Sequence, residues 1–170
     1  MPSSVLNGSP IKLRGVTKRF GSHTAVSSFD LEIPRGSVYG LLGPNGSGKT
    51  TTLRIIMGIL LPDEGEVELL GGPPGVQQNL RVGYLPEERG VYRKMKVRDL
   101  LIFLGEIRGL ARAEAQKRAM GWLERLDLSE WADKRTQDLS KGMQQKVQFI
   151  GTVIHDPEVL ILDEPFSGLD

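Results

Sequence analysis

A glycine-rich stretch near residue 45 has the residue types and the spacing of a phosphate-binding loop. Residues 43–50 read GPNGSGKT and fit the pattern G-x-x-x-x-G-K-[ST] at every fixed position. Glycines let the backbone wrap around a phosphate chain with its N–H groups inward, and the following helix adds its positive N-terminal end. We expect Lys49 to reach the β- and γ-phosphates of a nucleotide and Thr50 to be a Mg²⁺ ligand. The alternative, a plain glycine-rich turn, is disfavoured because the flanking strand and helix patterns match as well.

Two acids at the end of an apolar stretch supply a second set of candidate groups. Residues 159–164 read VLILDE, a continuous apolar strand followed by Asp163 and Glu164. Asp163, at the carboxyl end of the strand, suits a Mg²⁺ partner, and Glu164 suits a base that polarises an attacking water. For this segment alone, an ordinary strand followed by solvated charges is the alternative. The phosphate loop earlier in the chain favours the catalytic interpretation.

Hydrophobic periodicity in the first half of the chain predicts strands on both sides of the glycine-rich loop. Weak alternation over Ile11–Val16, and clear alternation of Phe29, Leu31 and Ile33, predict half-buried strands of an antiparallel layer. The apolar run Val38–Leu42 predicts a buried strand directly before the loop. The other elements predicted here are a helix over Lys49–Leu60 and strands over Val67–Leu70 and Val82–Leu85.

The second half of the chain has mainly helical periodicity. Apolar residues at helical spacing predict two helices between Val97 and Leu126, separated near Gly109, and a third over Lys141–Ile154. Val159–Leu162 predicts a second buried strand. These elements together indicate an α/β fold, a P-loop NTPase core with an antiparallel β layer. We expect one domain over residues 1–170, with an α-helical subdomain inserted over about residues 90–150.

The composition excludes several classes of protein. The 170 residues include 22 basic and 21 acidic side chains, a net charge of +1 that gives no electrostatic case for nucleic acid. The absence of cysteine excludes disulfides and thiolate zinc sites. No apolar run approaches the roughly 18 residues of a membrane span, so a cytoplasmic protein is expected. His23, in a predicted surface turn, and His155, at a helix end, are expected to be structural.

A third motif lies between the other two. Residues 139–143 read LSKGM, and the chain here resembles the nucleotide-binding subunits of ATP-binding cassette (ABC) transporters, whose signature is leucine-serine-glycine-glycine-glutamine. Leu139, Ser140 and Gly142 match this signature, whereas Lys141 and Met143 depart from it. Taken alone, the segment is a serine N-cap on an amphipathic helix. The resemblance implies that the serine and the helix N-terminus bind the γ-phosphate of ATP held by a second subunit, with Lys141 placing a cation beside it.

The resemblance implies roles for further positions. Phe20 corresponds to an aromatic ring that stacks on adenine, and Glu87 stands where the family has a Mg²⁺-binding glutamine. Asp170 corresponds to an aspartate that organises the dimer interface. The predicted nucleotide-binding residues are Phe20, Gly43, Pro44, Asn45, Gly46, Ser47, Gly48, Lys49, Thr50 and Thr51. The predicted metal ligands are Thr50, Glu87 and Asp163.

The function implied by the resemblance is ATP hydrolysis that drives transport. Two such subunits would hold two ATP molecules head to tail with Mg²⁺, and Glu164 would activate water. A separate membrane-spanning permease is the implied partner, at the inner face of the cell membrane. Residues 84–90 and the LSKGM signature look most like the ATPases of sodium- or drug-export systems. The basic run over residues 93–98 is expected to be a solvated face, with a contact to the membrane subunit as the alternative.

Two other functions stay open at this level. One is a cassette ATPase that acts in translation or repair rather than in transport, and the other is a nucleotide-dependent switch without turnover. The resemblance also places a further strand after the Asp170 loop, between the strands Val38–Leu42 and Val159–Leu162. We therefore expect the C-terminal strands of the domain to be missing from these 170 residues, and the chain alone to be a weak ATPase.

Overall fold

The computed structural model describes residues 8–87 and 92–164. The chain divides into two compact units, Met1–Asn79 and Leu80–Asp170, each described below by itself. Both strands and helices are present, so the predicted α/β class is confirmed. The elements in chain order are β1 (Ile11–Phe20), β2 (His23–Ile33), α1 (Lys49–Ile56), β3 (Glu64–Leu69), α2 (Val76–Asn79), β4 (Val82–Leu85), α3 (Val97–Glu106), α4 (Arg112–Arg125), α5 (Lys141–Val153) and β5 (Val159–Leu162).

The first unit contains the predicted antiparallel layer. Its sheet has the order β2-β1-β3, and both pairings are antiparallel. Leu13 on the central strand pairs with Leu31 on one side and with Val67 on the other. Ile11, Leu13 and Leu69 are all buried, because alternate side chains of each strand point to the same face of the sheet.

The segment Val38–Leu42 is not a strand, and the prediction of a buried strand there is wrong. These residues have no regular secondary structure, and the Val38 and Leu42 side chains are 102% and 92% exposed. An apolar run becomes a buried strand only where another strand supplies hydrogen-bond partners and another layer covers its faces. No strand in residues 8–87 or 92–164 pairs with this segment.

The helix after the loop is shorter than its apolar pattern predicted. We expected it to reach Leu60, but α1 ends at Ile56. The Gly58 N–H donates to the Ile55 carbonyl, and the Ile59 N–H donates to the Arg54 carbonyl at 2.9 Å in both cases. This pair of hydrogen bonds is the Schellman pattern, which ends a helix at a glycine just after the C-cap. The apolar residues beyond it are therefore not helical.

The second unit has three helices around its own apolar core, beside a two-stranded parallel sheet. The helices α3 and α4 are separated near Gly109 as predicted, and both pack with α5. The core residues buried most completely are Val97, Leu101, Ala115, Ala119, Leu123, Ile150 and Ile154. In the part of the chain that the structure describes, no helix combines the length and the apolarity that a bilayer crossing requires.

The strand β5 is present as predicted, but it is buried on one face only. It pairs in parallel with β4, with Val82 opposite Val159 and Leu85 opposite Leu162. Val159 and Ile161 are buried, whereas Leu160 and Leu162 are 43% and 37% exposed. The prediction of full burial is therefore wrong, because alternate side chains lie on opposite faces and the described residues cover just one of them.

His155 has a structural environment at the end of α5. Its Nε2 lies 3.3 Å from the carbonyl oxygen of Val82, and its Nδ1 is buried with no hydrogen-bond partner among the described residues. Burial lowers the pKa of His155, and the Arg108 and Arg118 guanidinium groups lower it further. The Val82 carbonyl and Asp156 act in the opposite direction on that pKa. The neutral imidazole therefore fits as a donor to β4.

Candidate nucleotide-binding site

The backbone of the glycine-rich loop requires glycine at two positions. Gly46 and Gly48 have φ angles of 80° and 87°, in the left-handed region that other residues rarely occupy. Gly48 is also the N-cap of α1, and a Cβ atom there would overlap the carbonyl oxygen of Ala25 on β2. A Cβ atom at Gly43 would lie 2.6 Å from the Ser47 Oγ. The loop is therefore folded tightly on itself and against β2.

The Lys49 side chain bends back over this loop. Its Nζ donates hydrogen bonds to the carbonyl oxygens of Gly43 at 2.8 Å and Pro44 at 3.0 Å. The first turn of α1 contains no acidic residue, so the ammonium group and the helix N-terminus present positive charge with no carboxylate in that turn. An anion at the loop would meet both. Residues 43–51, all predicted to bind nucleotide, are thus one continuous turn and helix start.

Phe20 lies at the end of β1, where the hairpin to β2 begins. Its side chain is 49% exposed, and it pairs with His23 across the hairpin. The Lys18 Nζ lies 5.7 Å from the centroid of the Phe20 ring, within the range of a cation–π contact. An exposed ring with a cation over it is available for stacking on a planar ligand. Its predicted role with adenine stays a prediction.

The predicted acids of the second unit lie at one edge of the β4–β5 sheet. Leu85 and Leu162 are paired at the carboxyl ends of the two parallel strands. Glu87 follows β4, and Asp163 and Glu164 follow β5, so all three acids come within two residues of paired strand ends. The parallel register therefore places the three carboxylates at the same edge, a juxtaposition that their positions in the sequence do not reveal.

Asp163 and Glu164 have different environments although they are adjacent in the chain. Asp163 is 3% exposed, and its N–H donates to the Leu85 carbonyl oxygen at 2.9 Å. Glu164 is exposed and has a φ angle of 49°, a left-handed conformation that costs about 1–2 kcal/mol outside glycine. Such strain is common at functional sites. One carboxylate is thus buried within the protein, and the other faces solvent.

The signature segment begins α5 with the serine cap that its sequence predicts. The Ser140 Oγ accepts a hydrogen bond from the Met143 N–H at 3.3 Å, so the N-cap is confirmed. Leu139 is buried in the helical core, and its carbonyl oxygen accepts from the Gln144 side chain at 3.0 Å. Lys141 and Gly142 are exposed on the first turn. The contact of this turn with ATP of a second subunit stays a prediction.

The predicted residues are divided between the two units of the chain. The loop residues are in the first unit, whereas the three acids and the signature are in the second. Asp170 lies outside the described residues. Sequence reasoning missed two backbone carbonyls beside the predicted residues: that of Ala25, which leaves no room for a side chain at Gly48, and that of Leu85, which accepts from the Asp163 N–H. Backbone atoms of distant strands have no signal in a sequence motif, so nothing in the pattern could have indicated them.

Known proteins with similar sequences identify the family. Residues 26–167 match the family described as ABC transporter, and the chain therefore belongs to the ABC transporter family. An uncharacterized ABC transporter ATP-binding protein of Bacillus subtilis, YhaQ, is 52% identical over 155 residues, which are 91% of this chain and 52% of YhaQ. The Nod factor export ATP-binding protein I of Cupriavidus metallidurans is 39% identical over 163 residues, 94% of this chain and 54% of that protein.

A solved structure agrees with this assignment. The structure of the ATP-binding subunit of an ABC transporter matches with a TM-score of 0.86 at 25% identity, over 94% of this chain and 68% of the other. The expected P-loop NTPase fold class with its antiparallel layer is therefore confirmed. This chain spans about half the length of the curated relatives it matches.

Proposed function

We propose that this chain binds ATP and, with Mg²⁺, hydrolyses it as the nucleotide-binding subunit of an ABC export transporter. The observation that carries the proposal is the loop at residues 43–50, where the Lys49 ammonium group lies over the loop carbonyls at 2.8 and 3.0 Å. Two left-handed glycines and the start of α1 complete this anion-binding shape. The name of the Nod factor export relative supports export as the direction of transport.

ATP binding would replace the present hydrogen bonds of the Lys49 side chain with bonds to the nucleotide. A triphosphate that enters the loop would meet the N–H groups of residues 46–50, and Lys49 would leave the Gly43 and Pro44 carbonyls for the β- and γ-phosphate oxygens. Charge-assisted hydrogen bonds to phosphate are stronger than those to neutral carbonyls. The Phe20 ring would stack on the base.

Mg²⁺ fits the chemistry of the predicted ligands. Thr50 offers a hydroxyl oxygen, and Asp163 and Glu87 offer carboxylate oxygens, the donor type that Mg²⁺ prefers. Asp163 is almost fully buried, which would keep its carboxylate in the defined position that a metal ligand needs. When bound, Mg²⁺ would neutralise charge on the phosphates. No group of three His, Cys, Asp or Glu side chains in the described ranges forms a metal cluster of its own.

Glu164 would handle the proton of the attacking water. Its carboxylate is exposed and directly follows the fixed Asp163. In hydrolysis, the water oxygen forms a bond to the γ-phosphorus while the bond to the β–γ bridging oxygen breaks, giving ADP and phosphate. Glu164 would accept the proton that the water loses. A base of this kind needs solvent access, which Glu164 has.

The complete transporter that we propose contains two nucleotide-binding subunits and a permease. Ser140, Lys141 and Gly142 on the exposed start of α5 would contact the γ-phosphate of ATP on the other subunit. Asp170 would help to organise that interface. Closure and opening of the pair would drive a membrane-spanning partner, which places the protein at the cytoplasmic face of the cell membrane.

Nucleotide titration of Lys49→Ala tests the proposal. The substitution removes the fixed cation, so we expect the affinity for ATP to fall at least tenfold, or about 1.4 kcal/mol. Lys117→Ala is the matched control, because Lys117 is exposed on α4 and forms no ion pair with a described residue. Equal affinities of the two variants would overturn the phosphate-loop assignment. Phosphate release by the assembled transporter separates an ATPase from a binding protein without turnover.

A further inference from the structure

The last three residues of β1, called here the strand end, lie beyond the pairing of β1 with β3. That pairing ends where Thr17 lies opposite Glu64. On the other side, β2 continues to pair with β1 as far as Phe20. Among the described residues, the strand end that carries Phe20 therefore has a paired strand on one side only.

Asp63, the residue directly before β3, binds the open side of this strand end. Its Oδ2 accepts a hydrogen bond from the Arg19 N–H at 2.6 Å, and its Oδ1 accepts from the Lys18 ammonium group at 3.0 Å. Its own N–H donates to the Thr17 carbonyl at 2.9 Å. The carboxylate thus supplies the acceptor that a neighbouring strand supplies elsewhere in the sheet.

The Asp63 carboxylate is ionised in this arrangement. The hydrogen bond from the Arg19 N–H and that from the Lys18 ammonium group hold the pKa of Asp63 below its usual range, against a smaller opposing effect of burial. Hydrogen bonds to an ionised acceptor are stronger than those to a neutral one. Asp63 therefore binds both donors more firmly than a neutral side chain would.

Both groups that Asp63 binds also affect the position of the Phe20 ring. Arg19 directly precedes Phe20, so the hydrogen bond of its N–H holds the backbone from which the ring extends. The Lys18 Nζ lies 5.7 Å from the ring centroid, and a cation at that distance favours the orientation in which the ring face meets it. The ring is half exposed, and these two contacts limit the positions that it can take.

We infer that Asp63 is a positioning residue for recognition of the nucleotide base, because it holds the Phe20 ring in place for stacking. The inference rests on the proposed function, in which Phe20 stacks on adenine. A ring that is already held in its binding orientation loses less conformational freedom when the nucleotide binds, which increases the affinity. Asp63 acts through the ring and not through the phosphates.

The neighbouring acid, Glu64, offers a matched control. Its Oε1 lies 2.7 Å from Nη1 of Arg19, in an ion pair whose two side chains are both exposed. This contact holds the end of the Arg19 side chain rather than its backbone, and exposed pairs of this kind contribute little. Glu64→Ala therefore removes one negative charge beside the same strand end and leaves both contacts of the Asp63 carboxylate in place.

Calorimetric titrations of the full chain test the inference, with ATP and with inorganic tripolyphosphate, which has the phosphates but no base. Phe20→Ala should weaken ATP binding about tenfold, within the range of base–aromatic stacking, and leave tripolyphosphate binding unchanged. Asp63→Ala should weaken ATP binding about three- to fivefold, a part of the Phe20 effect, and leave tripolyphosphate binding within about twofold of the parent. Asp63→Asn keeps an oxygen acceptor for the Arg19 N–H and should recover part of this loss. Retained tripolyphosphate binding also shows that the phosphate loop of each variant is folded.

The sign of the effect separates positioning from simple electrostatics. Loss of a carboxylate near a site for a polyanion should by itself increase the affinity for both ligands, and Glu64→Ala should show at most this increase, within about twofold. If Asp63→Ala bound ATP as tightly as Glu64→Ala while Phe20→Ala did not, the inference would be overturned and the proposed function would stand. Equal losses of ATP and tripolyphosphate affinity in Asp63→Ala would also overturn it, because the effect would then reach the phosphate loop. Unchanged ATP affinity of Phe20→Ala would instead refute the stacking role itself.

Discussion

The two left-handed glycines of the phosphate loop allow a sharp test of what holds the loop in shape. Gly46 and Gly48 have similar φ angles, 80° and 87°, but different surroundings. A Cβ atom at Gly46 would meet nothing within 4 Å, whereas at Gly48 it would overlap the Ala25 carbonyl oxygen. Alanine at either position therefore introduces the same backbone strain, and only alanine at Gly48 adds a collision with β2.

The expected magnitudes follow from this difference. Gly46→Ala should lower the free energy of unfolding by about 1–2 kcal/mol, the cost of a left-handed alanine. Gly48→Ala carries the same cost and an additional ~1–3 kcal/mol for overpacking, because a backbone carbonyl has to move. Gly121→Ala serves as the opposite control. It lies inside α4 with open space around it, so alanine there should stabilise the chain by about 0.5–1 kcal/mol.

Urea unfolding followed by circular dichroism measures all three variants. The order of stability should be Gly121→Ala above the parent, then Gly46→Ala, then Gly48→Ala. Affinity for ATP should fall in the same order for the two loop variants, since displacing Gly48 moves the start of α1. If Gly46→Ala and Gly48→Ala lost the same free energy within about 0.5 kcal/mol, the packing of the loop against β2 would contribute nothing, and our account of it would be wrong.

Two further predictions concern the base and the buried histidine. In the assembled transporter, Glu164→Gln should keep its affinity for ATP but lose about 10²–10⁴-fold in turnover. This variant should also accumulate as an ATP-bound dimer on gel filtration. Turnover equal to that of the parent would exclude Glu164 as the base. Because burial lowers the folded-state pKa of His155, the unfolded state takes up a proton first, and the free energy of unfolding should fall as pH decreases from about 6.5. Urea titrations at several pH values should show that the free energy of unfolding depends less steeply on pH for His155→Gln than for the parent. The control is His23→Gln, because His23 is exposed. If His155→Gln left the pH dependence unchanged, our account of His155 as a buried, neutral side chain would be wrong.

Local chemistry was sufficient to predict some elements from the sequence. The serine at the start of α5 caps it as expected, because an N-cap depends on the three residues that follow and on nothing distant. The strands β1 and β2 follow from alternation, since each needs only one covered face. The loop at residues 43–50 has the conformation that its glycines predict.

Val38–Leu42 shows where such reasoning fails. Its five residues are mainly apolar, and the pattern is the same whether or not a partner strand exists. Burial of a strand depends on hydrogen bonds and packing from other parts of a protein, and the described residues supply neither to this segment. The prediction that a strand following residue 170 would supply them stays a prediction. The partial exposure of one face of β5 has the same cause, because an apolar sequence pattern does not reveal whether other residues pack against that face.

The edge of the β4–β5 sheet shows what the structure adds to a motif. The sequence analysis predicts different roles for Asp163 and Glu164. However, both residues follow the same apolar run, so the sequence does not distinguish their environments. In the fold, a hydrogen bond to the Leu85 carbonyl fixes the backbone of Asp163, and its side chain is buried, whereas Glu164 turns into left-handed backbone and faces solvent. A metal ligand has to be held in position, and a general base has to reach water. The change in backbone direction between two consecutive residues therefore supports the division of roles that we propose.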